Sequence, residues 1–381
     1  MSAVLPGRSR SARAAVTALF LGNGVLVGGW AANIPRVRDL HGLSDSGLGT
    51  LLLTFGLGAV TAMALSSGLI ARAGAGRVAS VGGIVMALLF PLWGVVSHWP
   101  LLLALAAALG AATGTMDVAM NAYAAQLERR WGRAIMSSFH GAWSLGGLGG
   151  ALVAGVLASL GWGLTESLAP IACVVAAGGA AGLILPPLDG GPAQAAFRLP
   201  SRELAAVCAL AALCFSGEGA VADWSGVYLN TVIGTDVAWA TTGYTAFALA
   251  MVAGRLTGDA VVARLGPGRV VQLGGALAFV GLGIALAVPN RWVVDGGLIV
   301  VGAGLANIVP VVFSAAGRIR GTAGVAMVST TGFAGLLVAP PLLGNVADVA
   351  GLRLALSLVL VSIAAMALLG GAVGRRDVGP A

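Results

Sequence analysis

Long apolar runs, separated by short stretches rich in Arg, Pro, Gly or Asp, follow one another along the whole chain. A helix that crosses the hydrocarbon core of a bilayer needs about 20 apolar residues, and each run is long enough to form one. The pattern therefore predicts an all-α membrane protein with twelve transmembrane helices. We expect them near 12–34, 45–71, 78–97, 101–127, 134–159, 167–185, 203–229, 237–262, 270–288, 295–316, 324–345 and 352–373.

The runs fall into two related halves. A proline-rich stretch at 186–202 cannot continue a helix, so we expect a six-helix bundle over 1–185, a cytoplasmic linker over 186–202 and a second six-helix bundle over 203–381. At an offset of 192 residues, ARAGAGRV at 71–78 matches ARLGPGRV at 263–270 in six of eight positions, and Phe55 matches Phe247. Parallel repeats of this kind are typical of secondary transporters, whose substrate site lies near the midplane between the halves.

Composition narrows the class of protein further. Hydrophobic residues make up 58% of the chain and charged residues 9%, whereas a soluble domain is roughly one-quarter charged. The net charge of +7 could indicate nucleic acid, but the basic residues, all of them arginine, stand singly or in pairs between apolar runs. We therefore expect a bare membrane domain that binds no nucleic acid. Cys173, Cys208 and Cys214 lie inside apolar runs, as packing residues do.

The arginines also predict the orientation. With the N-terminus inside, sixteen arginines face the cytoplasm, four face outwards and Arg255 lies within a span. This asymmetry predicts a multi-pass protein of the cytoplasmic membrane with both termini in the cytoplasm. The first run follows Arg8, Arg10 and Arg13 as a signal peptide would, but it is too long and no clear cleavage motif follows it, so we expect an uncleaved first span.

The repeated loop lies on the cytoplasmic side between the second and third spans of each half. Glycine allows a tight turn there, and the arginines can meet helix carbonyls or lipid phosphates; a simple turn obeying the charge rule is the alternative. The loop resembles the signature loop of the major facilitator superfamily, and the resemblance covers the whole chain. It implies gating roles for the loop residues, which are Arg72, Gly74, Arg77, Arg264, Gly266 and Arg269.

Two departures from the superfamily pattern concern the gate. The family usually carries an acid just before the loop arginine, where this chain has Ala71 and Ala263. Asp259, one helical turn earlier, partly replaces that acid in the second half. The charge interaction that holds the inward gate in the family is therefore expected to be altered here, and weak in the first half.

A second resemblance narrows the branch. MDVAMNAY at 116–123 resembles the fourth-span motif of fucose-permease-like proton symporters, which have an acid, an Asn four residues on and then an aromatic residue. The stretches 137–141, 218–224 and 306–310 resemble less characterised bacterial permeases of that branch. The fucose-permease group also has a proton-linked acid in its first span, where this chain offers only Asn23 and Asn33. That group's coupling scheme is therefore not expected to apply intact.

Asp117 is the first candidate for the chemistry. A charge at the bilayer centre costs about 2.5–3.5 kcal/mol on insertion scales, so an acid kept there needs a partner, a water-filled cavity or a proton. Gly114, Asp117 and Asn121 share one face of the fourth span. A sugar or another polyhydroxylated or amide-bearing solute would suit that face. An interhelical hydrogen bond is the alternative reading.

Glu218, near the middle of the seventh span, is the second candidate. Asp223 is five residues on and about 140° around the helix, so both acids cannot face one cavity. We expect Glu218 to line the path and Asp223 to pack near the outer end; alternatively Glu218 is a structural acid paired with an Arg. For Arg255 and Asp259, four residues apart, we expect an intrahelical or interhelical ion pair rather than a contact with solute.

Other polar and aromatic residues lie within the predicted spans. His140 is either a proton relay or a helix contact. Asn307, followed by Pro310, predicts a local helix break whose carbonyls face a cavity. Trp30, Trp143 and Trp224 could stack on a sugar ring, although tryptophans near span ends commonly anchor a helix at the membrane interface.

The missing motifs bear on function as well. The sequence has no Gly-Lys-Ser/Thr phosphate loop, no His-Glu-x-x-His motif and no cluster of metal ligands, so we expect neither an enzyme nor a cofactor, with a proton as the coupling ion. The leading hypothesis is a monomeric secondary transporter that moves a small polar solute by alternating access. The alternatives are a proton antiporter that exports a drug or hydrophobic metabolite, and a non-transporting membrane receptor. The glycines at 146–150 lack the proline usual in drug/proton antiporters, which lowers the case for export.

Overall fold

The structure is a computed structural model that describes residues 6–43, 45–186, 200–235 and 237–373. Within these ranges the chain consists of α-helices joined by short turns, as the apolar runs predict. The helices are α1 (Pro6–Leu40), α2 (Asp45–Ala73), α3 (Ala75–Leu89), α4 (Trp99–Trp131), α5 (Met136–Ser159), α6 (Leu164–Gly182), α7 (Arg202–Thr231), α8 (Val237–Leu265), α9 (Pro267–Ala287), α10 (Arg291–Leu305), α11 (Ile308–Ala350) and α12 (Leu352–Leu369).

Eleven segments of the described chain are long and apolar enough to cross a membrane, and one of them is long enough to cross it twice. The segment Arg291–Ala350 has 60 residues, which as one continuous helix would measure about 90 Å, three times the thickness of a hydrocarbon core. It contains a sharp kink at Arg320 and Gly321, where the backbone leaves the helical region. The predicted tenth and eleventh spans lie on either side of this kink, so the all-α fold of twelve spans is confirmed.

The chain divides into two compact units. The described part of the first unit comprises 6–132, 139–186 and 320–330, and that of the second comprises 133–138, 200–319 and 331–373. Two short segments are thus assigned to the unit opposite to their place in the sequence. An offset of 192 residues carries 133–138 onto 325–330, so the two exchanged segments correspond in the repeat. The linker expected at 186–202 lies mostly outside the described residues, and the domain boundary stays a prediction.

The repeat in the sequence is also a repeat of packing. In the first unit α4 packs on α2 and α3, and α6 packs on α1 and α3; in the second unit the corresponding pairs are α10 with α8 and α9, and α12 with α7 and α9. The correspondence extends to single residues. Gly110 lies so close to the carbonyl of Phe55 that a Cβ would overlap it, and Gly302 lies in the same way against Phe247.

The two copies of the repeated loop have the same backbone. Gly74 separates α2 from α3 with a φ of 85°, and Gly266 separates α8 from α9 with a φ of 77°. This left-handed conformation strains any residue with a Cβ, which explains why the glycine recurs in both halves. In each loop a single residue lies between the end of one helix and the start of the next.

A seam of glycines joins α1 to α5 in the first unit. A Cβ on Gly24 would overlap the carbonyl of Trp143, and one on Gly28 would overlap that of Gly147. From the other side, Gly146 and Gly150 lie equally close to the carbonyls of α1 residues. Such close approach of backbones is how small residues bring membrane helices together. The glycine run at 146–150 is therefore a packing surface, and it fixes α1 beside α5 at the level of the polar residues described next.

Candidate functional site

Asp117 lies on α4 with both carboxylate oxygens hydrogen-bonded. Its Oδ2 accepts a 2.9 Å bond from the hydroxyl of Ser329, and its Oδ1 accepts a 3.2 Å bond from Nδ2 of Asn121. Ser329 and Asn121 are both fully buried. The carboxylate thus has two polar partners in an apolar interior, which is the condition for keeping a charge there.

The residues that share a helix face with Asp117 make both packing contacts and polar contacts. Gly114 lies so close to Ala59 on α2 that a Cβ would overlap the carbonyl, so this glycine serves helix packing. Asn121 donates to both the carbonyl and the carboxylate of Asp117, while its own buried Oδ1 has no hydrogen-bond partner in the described part of the chain. The Asn121 amide therefore presents an acceptor that a donor from a solute or water could satisfy.

Asn23 links the first span to this face. Its Oδ1 accepts a 2.8 Å bond from the indole of Trp143 on α5, and its Nδ2 lies 3.7 Å from the sulfur of Met116, the residue before Asp117. The resemblance described above implies an acid in the first span, where this chain has Asn23. Here a neutral amide ties α1, α4 and α5 together instead. We name Asn23, Asp117, Asn121, Trp143 and Ser329 the Asp117 cluster.

His140 and the predicted tryptophans occupy different surroundings. The His140 ring is buried and meets the ring of Phe20 edge-on, with 5.3 Å between centroids. Trp30 stacks on Trp93 at 4.7 Å, and Trp143 uses its indole N–H on Asn23. The indole Nε1 of Trp224 is buried and has no hydrogen-bond partner among the described residues.

Glu218 on α7 forms an ion pair with Arg255 on α8. The Nη2 of Arg255 lies 3.2 Å from Oε2 and 3.4 Å from Oε1 of the carboxylate, and its Nε donates to the carbonyl of Ala306 at 3.2 Å. Cys214, one turn before Glu218, lies 3.6 Å from Oε1. The pairing with an arginine that we left open for Glu218 is present, and the partner of Arg255 is on another helix. We call Cys214, Glu218, Arg255 and Ala306 the Glu218 cluster.

The carbonyl of Ala306 is available because the helix breaks there. α10 ends at Leu305 and α11 begins at Ile308, with Asn307 between them. Asn307 donates from Nδ2 to the carbonyl of Gly254 at 3.0 Å, and a Cβ on Gly258 would overlap its amide. The break at Asn307 predicted from the sequence is present, and it holds the tenth span against α8.

Asp223 and Asp259 differ in exposure and in their contacts. The Asp223 side chain is exposed, although it lies within a predicted span, whereas Glu218 is mostly buried. Asp259 accepts a 3.1 Å hydrogen bond from the backbone N–H of Ser138, the third residue of α5. A carboxylate at this position satisfies a donor that has no partner within its own helix and is stabilised by the helix dipole.

The loop arginines lie at the surface. Arg72, Arg77, Arg264 and Arg269 are all exposed, on either side of the two capping glycines. Sequence reasoning found these loops and most members of both clusters. It missed Ser329 and the pairing of Asn23 with Trp143, because these contacts join helices 120 or more residues apart and leave no local pattern.

Comparison with known proteins shows the family to which this chain belongs. The chain matches the Major Facilitator Superfamily over residues 16–327. It is 36% identical to an uncharacterized MFS-type transporter of Yersinia pestis, over 96% of this chain and 97% of that one. It is 34% identical to an uncharacterized transporter of Sinorhizobium fredii and 32% identical to the membrane protein MosC of Rhizobium meliloti, in each case over 93% of this chain and over 96% and 88% of those proteins.

Solved structures show the same fold. The outward conformation of the transporter FucP superposes with a TM-score of 0.77 at 18% identity, covering 95% of this chain and 98% of FucP. A bacterial homologue of the iron transporter ferroportin, in an outward-facing state, gives 0.72 at 15% identity, covering 94% of this chain and 98% of that one.

Twelve spans in two repeated units, with charged side chains held inside them, define a polytopic membrane transport protein. The chain belongs to the major facilitator superfamily. It is therefore a transporter and not an enzyme.

Proposed function

We propose that this transporter is a proton-coupled secondary carrier that moves a small polar solute, sugar-like or another metabolite, across the cytoplasmic membrane by alternating access. The observation that carries the proposal is the retention of ionisable groups inside apolar helices, at Asp117 and at Glu218. Each such charge costs about 2.5–3.5 kcal/mol on insertion scales, and groups of this kind mark solute and proton pathways.

The surroundings of the two acids suit proton coupling. Asp117 Oδ2 accepts a hydrogen bond from Ser329, and protonation would give the carboxyl group a hydrogen that it can donate instead. Protonation of Glu218 would cancel the charge that faces Arg255. Both changes alter contacts between helices, and a switch in contacts is what links proton binding to a conformational change. The structural neighbour FucP is a fucose:proton symporter, which is consistent with this proposal.

The other predicted residues keep proposed roles. Solute contacts are assigned to polar and aromatic side chains within the spans, namely Asn121, His140, Asp223, Trp224 and Asn307. Gating is assigned to the two glycine loops, with the contact between Asp259 and the start of α5 as a gate interaction of the second half. The excess of arginine on one side supports cytoplasmic termini. Attachment of a reporter enzyme to each terminus would test this orientation.

Transport assays on purified protein in liposomes test the proposal. A pH difference of one unit stores about 1.4 kcal/mol per proton, enough for about tenfold accumulation of a neutral solute. A panel of labelled sugars, polyols, amino acids and organic acids should contain a solute whose entry is saturable and depends on the pH difference. The sign of solute-induced proton movement separates symport from export by antiport. A folded protein that moves no solute in either direction would contradict the proposal.

A further inference from the structure

The ion pair between Glu218 and Arg255 is unequally buried. The side chain of Arg255 is 5% exposed and that of Glu218 is 21% exposed. The carboxylate is therefore the more accessible member of the pair. One nitrogen, Nη2, serves both carboxylate oxygens, and Nε is held by the carbonyl of Ala306. The guanidinium is thus held by a backbone carbonyl as well as by Glu218.

Other titratable and charged groups lie on the helices that carry the pair and on those packed against them. Cys214 contacts Glu218, and Tyr244 lies within electrostatic range of Arg255 and Asp223. The other charged groups on α7, α8 and the helices packed against them are Arg202, Glu203, Asp223, Asp259, Arg264, Arg269, Arg291, Asp295, Arg318, Arg320, Asp348 and Arg353. Asp259 lies one helical turn from Arg255, and Asp223 is an acid that repels anions. Glu218 contacts the guanidinium at 3.2 Å, so a proton or an anion that binds at this contact changes the charge balance there.

Charge balance at the pair links a proton to an anion. With Glu218 ionised, the two side chains sum to zero. A proton alone would leave a net positive charge next to a buried guanidinium, and an anion alone would leave a net negative charge. Both states are disfavoured in a low-dielectric interior. A proton and an anion together restore zero, so each makes binding of the other more favourable.

We propose that Arg255 is the recognition site for an anionic group of the transported solute, a carboxylate, which takes the place of Glu218 when that side chain becomes protonated. The proton comes from water on the side to which the site is open, and no covalent bond changes. This inference rests on the proposed proton-coupled function and deepens it, because it names the solute class as organic anions. It also makes the step at this pair electroneutral, so the pH difference drives it.

Glu218→Gln tests the inference without knowledge of the natural solute. This variant mimics the protonated acid and leaves the guanidinium facing the accessible side, so small carboxylates should bind it at any pH. Thermal unfolding of the purified protein would be followed across concentrations of sodium formate, acetate and lactate, at constant ionic strength with sodium chloride as the baseline. The apparent dissociation constant follows from the concentration dependence of stability.

Two comparisons decide the outcome. In the wild-type protein the apparent dissociation constant for carboxylates should rise about tenfold per pH unit where Glu218 is ionised, because the competent fraction falls tenfold. In Glu218→Gln it should not change with pH. The double variant Glu218→Gln/Arg255→Gln, which removes both charges and leaves none unpaired, should lose the carboxylate effect. Glu203→Gln, an acid in the first turn of α7, is the matched control and should behave as wild type.

The inference is overturned if carboxylates stabilise Glu218→Gln no more than the double variant, or if wild-type binding is independent of pH. Its failure differs from failure of the proposed function. Saturable flux of a neutral solute without carboxylate binding removes only this inference. Carboxylate binding that follows the pH rule supports the Arg255 site even where no flux has been measured.

Discussion

The hydroxyl of Ser329 donates a 2.9 Å hydrogen bond to the carboxylate of Asp117, across 212 residues of sequence. Ser329 belongs to the short segment 320–330, which packs with the first unit although it follows α10 in the sequence. The same carboxylate accepts from Asn121 within its own helix. Asp117 is therefore the point at which a segment of the eleventh span is fastened to α4, and its ionisation state bears directly on that attachment.

Asp117→Asn should impair proton-driven accumulation while the protein still inserts and folds. The amide cannot take up a proton, so a pH difference of one unit should sustain a smaller gradient than the about tenfold one of the wild type. Uptake in liposomes with and without a pH difference measures this. Thr113→Ala is the matched control on the same helix: its hydroxyl donates to the carbonyl of Leu109 within α4, outside the Asp117 cluster, and the variant should keep coupling. Normal pH-driven accumulation in Asp117→Asn would contradict the assignment.

The ion pair between Glu218 and Arg255 should show unequal effects on stability. Removing one partner of a buried pair costs about 3–5 kcal/mol, with less where water reaches the remaining charge. Glu218→Gln leaves a guanidinium that is 5% exposed, whereas Arg255→Gln leaves a carboxylate that is 21% exposed. Glu218→Gln should therefore lower the unfolding temperature more than Arg255→Gln, and the double variant should lie above both. A double variant less stable than either single one would show that the pairing is not the dominant contact.

Gly24→Ala should destabilise the first unit. Its new methyl group would overlap the carbonyl of Trp143, and only a shift of α1 away from α5 can relieve this. Overpacking of a close contact costs about 1–3 kcal/mol. Gly149→Ala on α5 is the control, because nothing lies within 4 Å of a Cβ there. Thermal unfolding in detergent should separate the two variants. Equal unfolding temperatures would mean that the helices are not in backbone contact.

Asp259→Asn should loosen the start of α5. The carboxylate accepts from the N–H of Ser138, and loss of its charge removes a helix-dipole interaction worth about 0.3–1 kcal/mol. Amide hydrogen exchange of the first turn of α5 should become faster by up to about fivefold. Asp348→Asn, at an exposed position near the end of α11, is the control and should leave this exchange unchanged. Unchanged protection in Asp259→Asn would remove the contact from the proposed gate.

The fold could be predicted from the sequence because lipid imposes one length and one composition on every span. Phe55 and Phe247 illustrate how far this goes. Their match at the 192-residue offset corresponds to matched contacts with Gly110 and Gly302, so a repeat in the sequence corresponds to a repeat in helix packing. The kink at Arg320 and Gly321 lies between two predicted spans, because arginine and glycine interrupt the apolar pattern there.

The candidate site could be predicted only residue by residue. Asp117, Asn121 and Glu218 stand out because a polar group in an apolar run is costly wherever it lies. Their partners do not stand out. Ser329 is one of several small polar residues that a membrane helix tolerates, and the pairing of Glu218 with Arg255 depends on how α7 turns towards α8. Interhelical geometry of this kind is fixed by packing, which no local pattern encodes.

The glycine seam between α1 and α5 has a mechanical consequence. Where backbone lies directly on backbone there are no rotamers to rearrange and no side-chain voids to fill, so the joint is stiff and hardly compressible. Helices joined in this way translate and tilt as one body. Asn23 on α1 and Trp143 on α5 therefore keep their spacing when this pair of helices moves, and a displacement of one helix displaces the other.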